Sequence, residues 1–426
     1  MTERLYWIWL SLALGAGSPN FKKLIDDYSS PKAIYDLSEE ELSSVYHKRT
    51  KEFDALINKD LSRAEEILEF CNRKSVGILT YADKSYPVLL REISDPPVLL
   101  YYRGTLPDFS KRGFVSIVGT RRLSAYGRQN AFNISYELAR SGAVIVSGMA
   151  IGVDGVSHAG ALAANGTTVA VLGSGIDVCY PSAHLVLARS IVKSGCVITE
   201  YAPGTKPDRH NFPKRNRIIS AISQATVVIE GQENSGALIT ARYAKKQGRR
   251  VYALPANVGS PAGVAANMLI RDGAKLLMSA NDVVLDFDGF MPGALNPFVV
   301  EKPRGLDMMQ AVSEFKVSCV TPSDNIFIPP KPKKVDKPRA EDITDKIEVP
   351  ISPITEAEKR DEAKVLEAIQ DEGLQLLYKK IPAEGSCTVE SLADNVHPLI
   401  TVMNGILALE LRGLAMLLPG DRVKRL

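Results

Sequence analysis

The rhythm of apolar and polar positions changes three times along the chain. In the first 75 residues, apolar positions recur at helical spacing over 5–14, 21–28 and 61–70. They are interrupted by Gly15-Ala16-Gly17-Ser18-Pro19 and by Ser29-Ser30-Pro31. This predicts a helical N-terminal domain over 1–75. A glycine turn between two short helices fits a helix-hairpin-helix, whose turn amides meet phosphate, or a plain helix–turn–helix packing unit. Residues 76–110 read as a connector rich in Pro and Tyr, with Asp95-Pro96-Pro97 leading into the apolar run 98–102.

From residue 114 the texture is different. Short apolar runs at 114–118, 143–147, 168–172, 196–199, 226–229, 251–254 and 275–278 end in Gly or polar turns. They alternate with amphipathic stretches at 124–141, 154–165, 182–194, 216–224, 236–248 and 263–272. Strand–helix alternation predicts an α/β domain over 76–290 built on a doubly wound parallel sheet covered on both faces. Residues 291–355 become rich in Pro and charge and read as an extended tether without a core. Residues 356–426 follow winged-helix order: helices at 358–371, near 389–394 and at 398–412, then a hairpin turned by Pro419-Gly420-Asp421. The third of these helices is almost wholly apolar or neutral, with Glu410 and a single cation, Arg412, which points to a protein-interaction or packing module. The basic tail Arg422, Lys424, Arg425 keeps DNA reading open as the minority alternative.

Bulk properties narrow the field. A net charge of +3 over 426 residues means that any nucleic-acid binding must come from a local cluster. Five scattered cysteines without a CxxC pair argue against a disulfide framework or a zinc site and suit a reducing cytoplasm. The run 5–14 has the look of a secretory signal core, yet Glu3 offsets Arg4 and a glycine turn leads straight into another apolar-periodic segment. A buried helix is the better reading. No run reaches the roughly 18–20 apolar residues of a membrane span, so no membrane partner is expected.

Ligands of doubly wound sheets sit at the carboxyl ends of the strands, so the turns there carry the chemistry. They are Gly119-Thr120-Arg121-Arg122, then 147–154 with Gly148 and Gly152, then Gly173-Ser174-Gly175-Ile176-Asp177, then Glu230 to Gly236. Glycines there allow close backbone approach, and helix-start amides attract anions. Gly173-Ser174-Gly175 lacks the third glycine and the spacing of a dinucleotide fingerprint, and no GxxxxGK[ST] occurs. The densest basic stretch is 209–219, where Arg209, Lys214, Arg215 and Arg217 surround Phe212 with Pro213 stiffening the backbone. Cations for phosphates beside a ring for base stacking are what single-stranded nucleic acid requires. Taken alone, the stretch reads first as a solvated charged face, and only the rest of the chain tips it towards binding.

Ser116-Ile-Val-Gly-Thr-Arg121, Ser147-Gly-Met-Ala-Ile-Gly-Val-Asp154 with His158, and Gly173-Ser-Gly-Ile-Asp-Val-Cys-Tyr-Pro181 occur in order with four further motifs. These are Thr199-Glu-Tyr201, Phe212-Pro-Lys-Arg-Asn-Arg-Ile-Ile219, Ser235-Gly-Ala-Leu-Ile-Thr-Ala-Arg242 and Leu269-Ile-Arg-Asp-Gly-Ala274. Over about 70–290 the chain thereby resembles the bacterial DNA-processing protein A family (DprA, also called Smf). The flanking regions resemble common family appendages more loosely. The resemblance implies an extended Rossmann-like fold with a helical (SAM- or helix-hairpin-helix-like) N-terminal domain and a C-terminal winged helix. It implies sequence-independent binding of single-stranded DNA, dimerisation, loading of the RecA recombinase in natural transformation, and no cofactor or bond-making chemistry. Family DNA contacts carry over to Arg121, Gly148, Arg209 and Phe212. Lys214, Arg215, Asn216 and Arg217 join them partly on chemical grounds, with Arg217 equally readable as a structural helix-start residue. Ser235 and Gly236, at the end of the 230–236 turn, complete the set. The apolar edge Leu276, Leu277, Met278, Val283, Val284, Leu285 suggests a dimer face, with Leu277 and Val284 as its contacts. Two departures, Pro255-Ala256 for the family's Pro-Gly and the longer Gly263-Val-Ala-Ala-Asn267, concern one loop.

Two other classes compete. A nucleotide hydrolase would use Asp154, His158, Glu200 and Glu230 as acid–base groups. The plainer account has Asp154 capping a helix and His158 packed within it. A signalling scaffold would bind a nucleotide messenger in the same crevice, with the winged helix as output.

Overall fold

The computed structural model describes residues 2–46, 50–233, 235–296, 308–318, 372–383, 386–392, 402, 406, 409, 414–418 and 422–425. They fall into two compact bodies, Met1–Ile328 and Pro329–Leu426.

The first body is organised on one sheet. Its strands are β1 (Gly77–Thr80), β2 (Leu99–Gly104), β3 (Phe114–Val118), β4 (Val144–Ser147), β5 (Thr168–Val171), β6 (Cys196–Thr199), β7 (Ala225–Val228), β8 (Arg250–Ala253) and β9 (Lys275–Leu276). Their spatial order is β1-β2-β6-β5-β4-β3-β7-β8-β9. From β3 the chain steps outward through β4, β5 and β6, then crosses back to place β7 on the other side of β3. The topological switch therefore lies between β3 and β7, and β3 to β9 pair in parallel. Strands buried on both faces read as continuous apolar runs, and β3 to β7, buried at every position, are visible as such in the sequence. Along β3, Val115 and Ile117 enter one layer of the core while Phe114 and Val118 enter the other. The one polar residue, Ser116, pairs with the Thr226 hydroxyl of β7 at 2.8 Å.

The connector expected over 76–110 is instead part of the sheet. β1 pairs antiparallel with β2, and β2 antiparallel with β6. Leu99 and Tyr101 alternate with Leu100 between the two core layers, a period-two pattern that the neighbouring prolines obscured in the sequence. Pro96 and Pro97 precede β2 rather than interrupt its ladder, where a proline is tolerated.

Helices cover both faces. Ala125–Arg140, Val153–Ala163 and Leu185–Ser194 lie on one, and Asn211–Ala221, Gly236–Lys246 and Val264–Arg271 on the other. The N-terminal helices, among them Thr2–Leu14, Phe21–Tyr28 and Ser62–Arg73, share a continuous core with the first face. Trp7, Ile8, Trp9 and Leu10 are buried there, so the apolar run at the start of the chain is a packed helix. No helix among the described residues is long and apolar enough to cross a membrane.

Three expectations need correction. The tether predicted from 291 does not begin there: Leu295 is buried, and the helix Met308–Glu314 packs through Ala311, with Phe315 and Val317 following it into the core. Leu277 and Val284, expected at a dimer face, are buried inside their own body. The exposed apolar side chains of that edge are Leu276, Met278 and Leu285. The helix expected to start at 216 starts at Asn211, because Pro213 sits in the first turn, where no helical hydrogen bond needs its missing N–H.

The second body contains a helix, Glu372–Lys380, and a three-stranded antiparallel sheet with Arg422–Arg425 between Cys387–Thr388 and Ala415–Leu418. A short 3-10 turn, Glu390–Leu392, stands near the helix expected at 389–394. The helix expected at 358–371 lies outside the described residues. Of the one at 398–412 only Val402, Ile406 and Leu409 are described, all buried with Leu377 and Tyr378.

His158 lies fully buried in the helix Val153–Ala163, its Nδ1 2.7 Å from the Thr168 hydroxyl, which itself donates to the Ile145 carbonyl. Nδ1 must therefore carry the proton, and burial pulls the imidazole down to about 3. The unfolded chain binds a proton at this residue below about pH 6.5 and the folded chain does not. Its contribution to stability is full above that pH and is lost as pH falls towards 3. Urea denaturation should show stability declining from pH 6.5 to 5, by up to about 1.4 kcal/mol per pH unit from this group. His158→Gln should flatten that decline while lowering stability throughout.

Candidate nucleic-acid interface

The turns at the strand ends and the helices Asn211–Ala221 and Gly236–Lys246 build a crevice beside the β3/β7 switch, with a volume of about 420 Å³. After β3, the turn bearing Arg121 is pinned from three sides. Thr120 donates its N–H to the Glu230 carbonyl at 2.8 Å, Val153 donates to the Thr120 carbonyl at 3.2 Å, and Leu123 is buried. The Glu230 carboxylate accepts from the Ser124 amide (3.1 Å) and hydroxyl, at the start of the helix Ala125–Arg140. Only at Gly127 can this carboxylate lie against the helix, since a Cβ there would collide with it. The turn is rigid and Arg121 itself is exposed.

The turn after β4 needs left-handed backbone at Met149 and Gly152, with φ of 56° and 90°. Its Gly148 carbonyl accepts a 2.8 Å hydrogen bond from the Arg215 guanidinium, which also donates to the Val171 carbonyl at the end of β5. A Cβ on Gly148 would overlap that guanidinium. His184 donates Nδ1–H to the Met149 carbonyl (3.0 Å), while its Nε2 accepts from the Ser318 amide (2.9 Å). The Ser318 carbonyl accepts in turn from the Gly152 N–H. A segment expected to be tether thus braces this turn.

The helix Asn211–Ala221 closes the crevice. It follows Asp208, whose carboxylate accepts from the His210 amide at 2.8 Å, and it is tied to the sheet by Asn211 donating to the Gly173 carbonyl at 3.2 Å. Phe212, half-buried, lies on the Gly173 backbone, which has no room for a side chain: a Cβ there would meet the ring at 2.9 Å. The guanidinium carbons of Arg121 and Arg215 stand 5.5 Å and 6.0 Å from the ring centroid, within cation–π range. Tyr180, 43% exposed, tilts against the same ring at 5.5 Å.

The candidate residues divide into groups. Arg121, Arg209, Phe212, Arg215, Asn216 and Gly236 line the crevice. Phe212, Asn216 and Ile219 do so at helical spacing, one face of one helix. Arg121 and Arg209 are its exposed cations, and Lys214 is exposed beside it, its Nζ 3.4 Å from the Ala16 carbonyl. Arg215, only 4% exposed, forms the floor. Burial pulls its guanidinium down to about 10, opposed by nearby Asp154, so it stays charged at neutral pH. Burial likewise raises Asp154, with Arg215 the main opposing influence. Ser235 occupies the N-cap position of the helix Gly236–Lys246, next to the lining residue Gly236, without a side-chain capping hydrogen bond. Gly148 is buried and acts through the room it leaves for Arg215.

Arg217 does not face the crevice. It is 1% exposed and donates to Glu200 at 2.7 Å and 3.0 Å and to Asp95 at 3.0 Å. Burial pulls this guanidinium down, but the two carboxylates more than compensate and leave it raised. Its burial fits a structural role, but in the middle of the helix Asn211–Ala221 and not at the helix start where the sequence reading put it. The departures at 255–267 close into a tight loop, where the Asn267 amide bonds both the N–H and the carbonyl of Ala256. Sequence reasoning missed Tyr180 as a crevice residue, although it lies inside a quoted motif beside a proline. It also missed Val317 and Ser318, for which no composition signal existed.

The fold and crevice define a doubly wound Rossmann-like protein whose strand ends present an aromatic ring among cations. The match to known proteins is specific: residues 77–288 fit the family model described as DNA recombination-mediator protein A, and the chain belongs to that family. It is 40% identical over 217 residues to the DNA processing protein DprA of Bacillus subtilis, covering 51% of this chain and 73% of that protein. It is 36% identical over 287 residues to the protein Smf of Synechocystis, covering 66% and 72% respectively. The crystal structure of DprA from Streptococcus pneumoniae superposes with a TM-score of 0.58 at 31% identity, covering 66% of this chain and 97% of that one.

Gly148→Ala should destabilise the protein by about 1–3 kcal/mol in urea denaturation, because the methyl displaces a buried guanidinium from its acceptors. Gly236→Ala, with open space around the added carbon, should be neutral or stabilising by up to about 1 kcal/mol.

Proposed function

We propose that the chain binds single-stranded DNA in this crevice without regard to sequence, as a dimer, and hands the strand to a RecA-type recombinase in DNA uptake and recombination in the cytoplasm. The observation that carries this reading is the half-buried Phe212 ring with the guanidinium groups of Arg121 and Arg215 within 6.0 Å of its centroid, at the ends of the parallel strands. A ring with cations around it accepts any base by its π-face and any phosphate by its charge, which is sequence-tolerant by construction. The DNA recombination-mediator family description and the relatives' names as DNA processing proteins support the same role.

Each carboxylate that a nucleotide hydrolase would need already has a structural partner. Glu200 holds Arg217, Glu230 holds the Ser124 turn, and Asp154 accepts from the Ala150 amide. No bond-making step is assigned to them. For the dimer, the exposed Leu276, Met278 and Leu285 replace Leu277 and Val284 as proposed contacts.

Oligothymidine should bind more tightly than duplex of equal length, and equal affinities would overturn the reading. Phe212→Ala should cost about 1–3 kcal/mol of binding. Arg121→Ala and Arg209→Ala should weaken all sequences alike and reduce the salt slope by about 0.7 each. Sedimentation should show a dimer that Met278→Lys with Leu285→Lys converts to monomer.

A further inference from the structure

The turn between the first two helices, the candidate phosphate-binding hairpin of the sequence, meets a carboxylate instead. Gly17 donates its N–H to Glu200 at 3.2 Å, and that same Glu200 oxygen receives the 2.7 Å bond from Arg217. The space a Cβ would take at Gly17 is bounded by the Arg217 guanidinium, with Nε at 3.3 Å and Nη2 at 3.4 Å. The Ala16 carbonyl of the same turn faces Lys214. Arg217 and Lys214 both belong to the helix that carries Phe212. A second route reaches Arg217 through aromatic rings. Phe21 packs edge-on against Tyr81 at 5.1 Å, and Tyr81 against Tyr86 at 5.4 Å. Tyr86 donates to the Pro97 carbonyl and so holds the loop that presents Asp95 to Arg217.

We propose that the N-terminal helical region positions the crevice helix: the 15–20 turn, acting through Glu200 and Arg217, sets the placement of Phe212. Arg217, Glu200 and Gly17 are positioning residues for strand binding and do not touch the strand. A buried ion pair is satisfied only by good geometry and further hydrogen bonds, and the Gly17 amide is one of those bonds. Displacing the turn takes a donor from Glu200 and crowds Arg217, so the helix shifts at its buried anchor five residues from the ring. The inference rests on the strand-binding reading of Phe212.

The chain supplies its own control. Gly15 and Gly17 both have left-handed backbone, with φ of 69° and 72°, so Ala at either position meets the same backbone cost. A Cβ at Gly15, however, meets nothing within 4 Å. With the full chain and fluorescent oligothymidine, Gly17→Ala should weaken binding roughly 3-fold to 30-fold, within the range of coupling between contacting neighbours, and Gly15→Ala less than about 2-fold. In a double-mutant cycle, Phe212→Ala should cost markedly less in the Gly17→Ala background than in the parent. Hydrogen exchange without DNA should show faster exchange over 211–221 in Gly17→Ala than in Gly15→Ala. Asp95→Asn, which alters Arg217 from outside the turn, should reproduce the binding loss. Equal effects at the two glycines, or additive losses with Phe212→Ala, would overturn the proposal. A parent protein that fails to bind oligothymidine would overturn the underlying reading instead, with the exchange difference still deciding whether the turn positions the helix.

Discussion

Two buried guanidinium groups two residues apart govern this molecule. Arg215 and Arg217 leave the same helical turn in different directions, and each must be satisfied where water does not reach. Arg215 donates to main-chain carbonyls at the ends of β4 and β5; Arg217 pairs through Nε and Nη2 with the carboxylates of Asp95 and Glu200, its Nη1 left without a partner among the described residues. An unpaired buried charge costs several kcal/mol, so each side chain is held to its own partners. With both fixed, the rotation of the helix about its axis is fixed as well. The face left over, Phe212, Asn216 and Ile219, has nowhere to point but the crevice.

That arrangement also explains the glycines. Gly148 and Gly173 leave the main chain bare where a guanidinium and an aromatic ring must lie against it. Arg215 and Phe212 are therefore packed onto bare backbone as well as against neighbouring side chains. This gives them fixed positions without an intervening layer of rotamers. Glu230 does the same for the Arg121 turn from the neighbouring strand, using its carbonyl and its carboxylate on two sides of one loop.

The parallel strands β3 to β7 were legible because strands covered on both faces are dominated by apolar residues, and their glycine-rich ends marked the crevice. The first antiparallel pair was not, since Asp95-Pro96-Pro97 and a run of tyrosines look like connector until the partner strand β6 is in place. Charge was the least legible property. In 209–219 the exposed Arg209 and the buried Arg215 and Arg217 are written with the same letter. Only their three-dimensional neighbours separate them: a carbonyl pair, a carboxylate pair, or open water. The apolar edge at 276–285 misled for a related reason, because Leu276 and Leu277 are adjacent in sequence yet one is exposed and one enclosed. The brace at 308–318 could not be read at all, since it is a short packed piece inside a stretch whose composition is that of a tether.

The helix that follows β4 begins with amides already taken. Gly152 donates to the Ser318 carbonyl and Val153 to the Thr120 carbonyl. In a doubly wound fold such helix starts are the ordinary seat for a phosphate, held by main-chain N–H groups that a change of side chain other than to proline leaves in place. Here that seat is filled by the protein's own chain, and the charges that face the crevice sit on side chains. A grip made of side chains can be strengthened or loosened one residue at a time without disturbing the sheet. Affinity in such a protein is an adjustable quantity, open to gradual change by substitutions at the rim while the fold beneath stays as it is.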